Sequence, residues 1–323
     1  MSHSRSSDAQ TQRNSELWPN ELAGDGIRRI ICHQIERAIR SSSEKQNGSG
    51  SPVHDTRRHL KRARAALSFA TGEIERDVWK REDRCLRKVG QLISDVRDAE
   101  VRLETVRQLR RYTRSRKRSF RETEELLAFE LDSFLAAFAE WPEEARQRLS
   151  QSLDRIRDWP LQKLSCKHLH KCVQKTYKCG RRALKIANKK SSTKNLHALR
   201  KWAKDLSYQL RLLRPLAPAI FAEFNDELAL IGRYLGQVHD LAFVDERLAS
   251  IGPTRKHGER VLNTLIESRE KDLARTAIAL GEQFYAQRPR RFAKRISRYF
   301  SDWEKGAKHP FIRETRAAAG SLN

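Results

Sequence analysis

His54, Arg57, Arg58, Lys61, Arg62 and Arg64 fall within fifteen residues, VHDTRRHLKRARAAL (Val53 to Leu67), that hold five Lys/Arg and two His. On a helix, residues three and four apart are neighbours. His54, Arg57, Arg58, Lys61 and Arg62 then share one face with Arg64 at its margin, and Leu60, Ala63, Leu67 and Ala70 form another, fit for a core. Like charges one turn apart repel and destabilise an isolated helix. A polyanion laid across them would relieve that repulsion. Arginine offers a planar fork that grips phosphate oxygens two at a time, and lysine a mobile point charge. The chemistry these residues can do is therefore the capture of a chain of negative charges.

The pattern recurs. LHALRKWAKDLSYQL (Leu196 to Leu210) places His197, Arg200, Lys201 and Lys204 where the first stretch has His54, Arg57, Arg58 and Lys61, at an offset of 197 − 54 = 143. A second pair of segments follows. VGQLISDVRDAEV (Val89 to Val101) aligns with IGRYLGQVHDLAF (Ile231 to Phe243), matching Gly90 with Gly232, Val96 with Val238 and Asp98 with Asp240, at an offset of 240 − 98 = 142. Two motifs in one order at nearly one offset predict an internal duplication. The expected division is residues 21–158 and 159–307, with tails at 1–20 and 308–323.

Further basic stripes accompany these. Lys167, Lys171, Lys175, Lys178 and Arg182 recur at helical spacing with Arg181 beside them; Arg107, Arg110, Arg111 and Arg114 form another, and Arg291, Lys294, Arg295 and Arg298 a last. Arg28, Arg97 and His239 complete the candidate binding set. One such stripe fits a solvated helix face. Several with almost no acid among them point to a polyanionic partner.

Other chemistries weigh less. Asp98 and Asp240 could serve as metal-binding carboxylates of a phosphohydrolase, but such sites gather several acids around the ions. One acid per copy, next to Arg97 or His239, reads as a structural partner that orients basic residues. CKHLHKC (Cys166 to Cys172) suggests zinc, yet on a helix Cys166 and His170 share one face while His168 and Cys172 share nearly the opposite one, so the four cannot converge. A two-ligand site completed by Cys179 is the remaining metal alternative. His54 and His197 fit phosphate donors, and equally fit residues near a helix start satisfied by a neighbouring helix.

The elements that must position these residues read as helices throughout. Periodicity predicts helices over about 26–40, 54–67, 73–112, 121–139, 143–158, 166–188, 195–213, 218–249, 260–287 and 290–305. Glycine (14) and proline (9) are too scarce for strands joined by tight turns. Lys and Arg number 66 against 41 Asp and Glu, a net charge of +25, which speaks of partners and not of fold. Five cysteines, odd in number and sparse, make a disulfide framework improbable and predict a reducing cytoplasm. The polar first twenty residues lack an apolar stretch and read as a disordered tail, and no run of about 18 apolar residues predicts a membrane span.

In their order and duplication these segments resemble the CHAD family, the conserved-histidine α-helical domain. The resemblance rests on His54 with Arg57, Lys61, Arg62 and Arg64; Val89-Gly90 leading to Arg97-Asp98; His197 with Arg200, Lys204, Leu206 and Tyr208; and Gly232 to Asp240. Lys178, Arg181 and Arg182 fall where that family has a basic helix before the second His. It covers about Leu22 to Lys305. Three positions depart from the family pattern: Ser207 stands where Arg is usual, Arg211 where an acid is usual and Glu100 where Asp is usual. The resemblance implies an all-α fold of two pseudo-symmetric antiparallel four-helix bundles with a basic groove between them. It also implies a non-catalytic binder of inorganic polyphosphate, with granules of that polymer as its setting. No cofactor, metal ligand or catalytic residue is called for.

Nucleic acid is the main competitor, since phosphate contacts supply most non-specific affinity. Against it, the stripes carry no interleaved aromatics for base stacking; Tyr177 and Trp202 both fit core positions. An anionic membrane surface fits less well, because no basic amphipathic helix has the exposed apolar face that would insert.

Overall fold

Serines set where three of the helices begin. In a computed structural model that describes residues 14–19, 21–43, 51–113, 118–250 and 257–308, Ser51 accepts a hydrogen bond from the His54 N–H at 3.4 Å and Pro52 follows it. Ser165 and Ser192 cap their helices the same way, accepting from the N–H groups of His168 and Asn195. Each satisfies an N–H that the first turn leaves unpaired. Among the described residues every regular element is helical. In chain order these are α1 (Ala23–Ser43), α2 (Pro52–Leu67), α3 (Arg76–Leu92), α4 (Ser94–Thr113), α5 (Arg118–Ala137), α6 (Trp141–Arg157), α7 (Cys166–Lys189), α8 (Thr193–Leu212), α9 (Pro218–Ser250), α10 (His257–Phe284) and α11 (Pro289–Lys308).

One expected helix is two. The stretch over 73–112 breaks at Ile93, whose backbone leaves the helical region (φ −108°, ψ 17°). Ile93 is fully buried in a small apolar cluster with Val53 and Val96, flanked by Phe134, Phe138 and Trp141. The inward turn of this side chain separates α3 from α4. The aligned stretch in the second half runs unbroken through α9.

The helices pack as antiparallel neighbours. α1 lies on α2 and α6, and α7 lies on α8 and α11. α4 packs on α5, and α9 on α8 and α10. The halves then join: α2 meets α8, α4 meets α9, and α5 touches α10. One apolar cluster runs from Leu17 through Ile30, Leu60, Leu206 and Phe221 to Phe300. This cluster crosses the expected division at 158/159. The α4–α5 hairpin leaves the first group of helices and lies on the second.

Two glycines allow close approaches that hold this packing. A methyl group on Gly24 would strike the carbonyl oxygen of Leu161, and one on Gly180 would strike the buried Tyr285 ring. Part of the expected N-terminal tail is also ordered. Leu17 is buried and its N–H donates to the Leu212 carbonyl at 2.9 Å, while Arg29 binds the carbonyls of Asn14 and Glu16 and stacks 3.8 Å over Trp18. Residues 1–13, the expected C-terminal tail beyond 308 and the stripe residue Arg114 lie outside the described residues.

Candidate anion-binding site

The two copies of the basic motif end in one cavity. Its volume is about 260 Å³, and its walls come from four helices. α2 gives His54, Arg57, Arg58 and Lys61; α4 gives Arg97, Asp98 and Val101; α8 gives Arg200, Lys204 and Tyr208; α9 gives His239, Asp240 and Phe243. Six Lys/Arg thus face two Asp. Arg58 is partly engaged by Asp55 at 3.2 Å, and Arg97 by Glu100 at 2.9 Å. Arg57, Lys61, Arg200 and Lys204 make no ion pair among the described residues.

Close packing of like charges shows in the acid–base chemistry. Lys61 opens to the cavity but is walled by protein, and this loss of water, reinforced by Lys204, Arg57 and Arg200, pushes it down to about 7. Lys204 is pushed down to about 8 by burial and Arg200, with Asp240 opposing. Burial also lowers Arg57 and Arg200. Burial and the nearby Arg200 hold His239 down to about 4, and burial lowers His54 and His197. Each shift favours the uncharged imidazole in the free protein.

The two aspartates play matching parts. Burial raises both carboxyls, and the strongest opposing charge is Arg57 for Asp98 and Arg200 for Asp240. Each acid therefore stands on one helix as the counter-charge of an arginine on another. The glycines of the second motif pack beneath the basic side chains. The Lys204 stem lies 3.9 Å from where a side chain on Gly232 would begin, and the Arg200 guanidinium 3.5 Å from that point on Gly236. On the other side Arg57 reaches the Gly90 carbonyl at 3.4 Å.

Of the candidate residues, His54, Arg57, Arg58, Lys61, Arg97, Arg200, Lys204 and His239 line the cavity. His197 sits at its edge with its ring 5.1 Å from that of His239. The others do not line it. Arg62 borders a smaller crevice with Tyr208, Arg211, Gln34 and Ser15. Arg64 turns away and pairs with Asp83 at 2.8 Å. Arg28 bonds Asp25 and the Trp159 carbonyl, fixing the turn between the halves. Arg181 donates to the Tyr285 carbonyl at 2.9 Å. Lys171, Lys175, Lys178 and Arg182 are exposed along α7, Lys201 rests 5.2 Å over Trp202, Arg295 lies 4.8 Å over Phe224, and Arg291 is exposed on α11. The five stripes are thus not one surface; α2 and α8 build the cavity.

Val101 and Phe243 were missed. Both stand three residues after the motif aspartate, Asp98 or Asp240, and so one helical turn along the same face. Phe243 places an aromatic ring at the site from outside the basic stripes, and Tyr208, four residues after Lys204, places one on the α8 stripe itself, against the expectation that no aromatic is interleaved there; Tyr177 is buried and Trp202 partly buried. The CKHLHKC run does not gather. His168 pairs with Glu73 at 3.0 Å, His170 bonds the Ala293 carbonyl at 2.8 Å, and Cys172 faces the Ser68 carbonyl.

Comparison with known proteins agrees with this architecture. The CHAD domain family model matches residues 33–249. The fold is similar to that in the crystal structure of the CHAD domain from the plant Ricinus communis, with a TM-score of 0.63 at 14% identity over 85% of this chain and 95% of that one. No protein with a curated description matches the chain. The chain belongs to the CHAD domain family. Among the described residues no helix is long and apolar enough to cross a membrane.

Proposed function

We propose that this protein binds inorganic polyphosphate without transforming it, seating the chain in the cavity between α2, α4, α8 and α9. The observation that carries the reading is the convergence of Arg57, Lys61, Arg200 and Lys204, two from each motif copy, with no ion pair among the described residues. Phosphate oxygens would supply the missing partners as charge-assisted hydrogen bonds. Polyphosphate has a charge on every unit and no bases, which suits a site rich in cations. The association of CHAD domains with polyphosphate supports the same conclusion. Asp98 and Asp240 orient Arg57 and Arg200 in this reading and have no chemical step to perform. Lys61 and Lys204 hold matching motif places, in keeping with a duplicated origin. Granules of polyphosphate in a bacterial cytoplasm are the setting that fits.

A second reading is favoured by one feature. The Phe243 and Tyr208 rings at the cavity could stack a base, so a single-stranded nucleic acid is the rival ligand. A competition titration at fixed salt separates the two, because such affinities shift steeply with salt. Labelled long-chain polyphosphate is bound and then challenged with duplex DNA, single-stranded RNA and ATP at equal phosphate concentration. Competition by unlabelled polyphosphate alone supports the proposal. Equal or better competition by RNA or DNA replaces it with the nucleic-acid reading.

A further inference from the structure

Phe129 is 71% exposed, the most of any large apolar side chain among the described residues, and it lies on the outer face of α5. Leu126 stands one turn before it on the same face and Leu135 at the margin, both exposed. Single exposed apolar side chains are ordinary, but grouped ones mark contact surfaces. Acids surround this group. Glu122, Glu125 and Asp132 are exposed beside Phe129. α5 as a whole has five acids against two arginines, on a chain whose net charge is +25. Glu125 pairs with the exposed Arg121 of its own helix, a bond worth little in water, and Asp132 makes no ion pair among the described residues.

The opposite pattern stands on α7, which carries eight Lys/Arg and no acid. Lys171, Lys175, Lys178, Arg182 and Lys189 are exposed along one face, none with an ion pair among the described residues. Ile186 is 45% exposed at the edge of that face. The cavity takes none of these residues. Within one copy the two faces do not cover each other: α5 lies on α4 and α10, and α7 on α8, α10 and α11. A second copy is the partner that brings them together. α5 against α5 would set acid on acid, and α7 against α7 base on base, each at a cost. α5 against α7 sets acids on bases and brings the exposed apolar side chains of both under cover.

We propose that copies of this chain associate head to tail, the outer face of α5 in one copy seated on the basic face of α7 in the next. The contact is heterologous, so each copy keeps a free face of one kind for a further copy. The association is weak, concentration-dependent and sensitive to salt, because exposed charge pairs are screened. It gives the α7 stripe a partner that the cavity does not. It uses α5 and α7 and not the walls of the cavity, so it holds or fails independently of the polyphosphate reading.

The test is sedimentation equilibrium on the full chain, first stripped of bound polyanions at high salt so that none can bridge copies. At about 50 mM salt the weight-average mass is expected to rise above the monomer's as protein concentration increases, and to return to it at about 500 mM. A monomer at every concentration overturns the inference, and so does an assembly whose mass ignores salt. Two variants test the pairing. Phe129→Lys with Asp132→Lys spoils α5, and Arg182→Ser with Ile186→Ser spoils α7, all at exposed positions. Circular dichroism checks that both stay helical, and Phe129→Ser or Ile186→Ser alone replaces a double variant that does not. Each variant by itself is expected to associate about tenfold more weakly or worse. Mixed in equal amounts they are expected to form a dimer and nothing larger, because each supplies the face that the other lacks. A variant that associates like the wild type overturns the head-to-tail contact, since pairing of like faces spares the other one. A mixture that stays monomeric overturns it as well.

Discussion

Lys61 of α2 and Lys204 of α8 meet in one cavity although 204 − 61 = 143 residues of chain separate them. Burial pushes both down, joined by the charge of Lys204 at Lys61 and by that of Arg200 at both, so that Lys61 falls to about 7 and Lys204 to about 8. An arriving polyanion favours both charged forms. Binding near pH 7.5 should therefore take up protons, and affinity should drop as pH rises from about 6.5 to 9. Calorimetry in buffers of different ionisation enthalpy measures this, and a heat independent of the buffer would count against it. The free protein should behave oppositely. Both lysines bind protons more weakly folded than unfolded, so stability rises with pH above about 7 until the unfolded lysines titrate near 10.4.

The same repulsion predicts a trade between stability and binding. The double substitution Lys61→Met with Lys204→Met removes two crowded cations and keeps their stems. Tm is expected to rise by about 2 °C or more, while polyphosphate affinity falls steeply. A thermal melt beside a binding titration checks both. A lower Tm with unchanged affinity would show that the lysines support the fold and not the ligand.

Charge reversal tests the arginines. Arg57→Glu with Arg200→Glu should reduce affinity by about 100-fold or more, since two charge-assisted contacts become repulsive. The helical circular dichroism signal should be unchanged. A well-folded double variant that binds like the wild type would sink the assignment of the cavity.

A second ionic site holds the fold. Glu82 of α3 is fully buried and takes Arg155 of α6 at 2.7 and 2.9 Å, Ser152 at 2.7 Å and Arg81 at 2.7 Å. Burial pushes its carboxyl up, and these hydrogen bonds more than offset it, leaving it lowered overall. The stability it contributes is present above the ordinary carboxylate range and lost as pH falls through the folded value. Glu82→Gln should cost about 2–4 kcal/mol at pH 7 and remove part of the acid sensitivity. Denaturant melts at pH 7 and pH 4 measure both, and equal losses at the two pH values would refute the role.

The helices were legible in the sequence because their apolar stripes recur with a steady period, as in Leu199, Ala203, Leu206 and Leu210, all buried. The break at Ile93 was not legible, because no proline marks it and its cause is burial beside Val53 and Phe134. His54, Arg57, Lys61, Arg200 and Lys204 could be named from the duplicated motif. Arg64 could not be separated from them, since its turn toward Asp83 depends on how α3 packs. The α7 stripe has good spacing and yet stays outside the cavity for the same reason. Spacing tells which residues share a face, and only packing tells which faces meet.

The cavity draws its walls from α2 and α4 on one side and α8 and α9 on the other. A ribosome finishes the first pair long before the second, and synthesis proceeds at about 5–20 residues per second. During that interval the chain carries four of the six cavity cations and no enclosed site. A polyanion bound as proposed would then discriminate between finished and unfinished copies, because it would find its full set of partners only after the last wall has closed. By mass action it would also stabilise the finished copy.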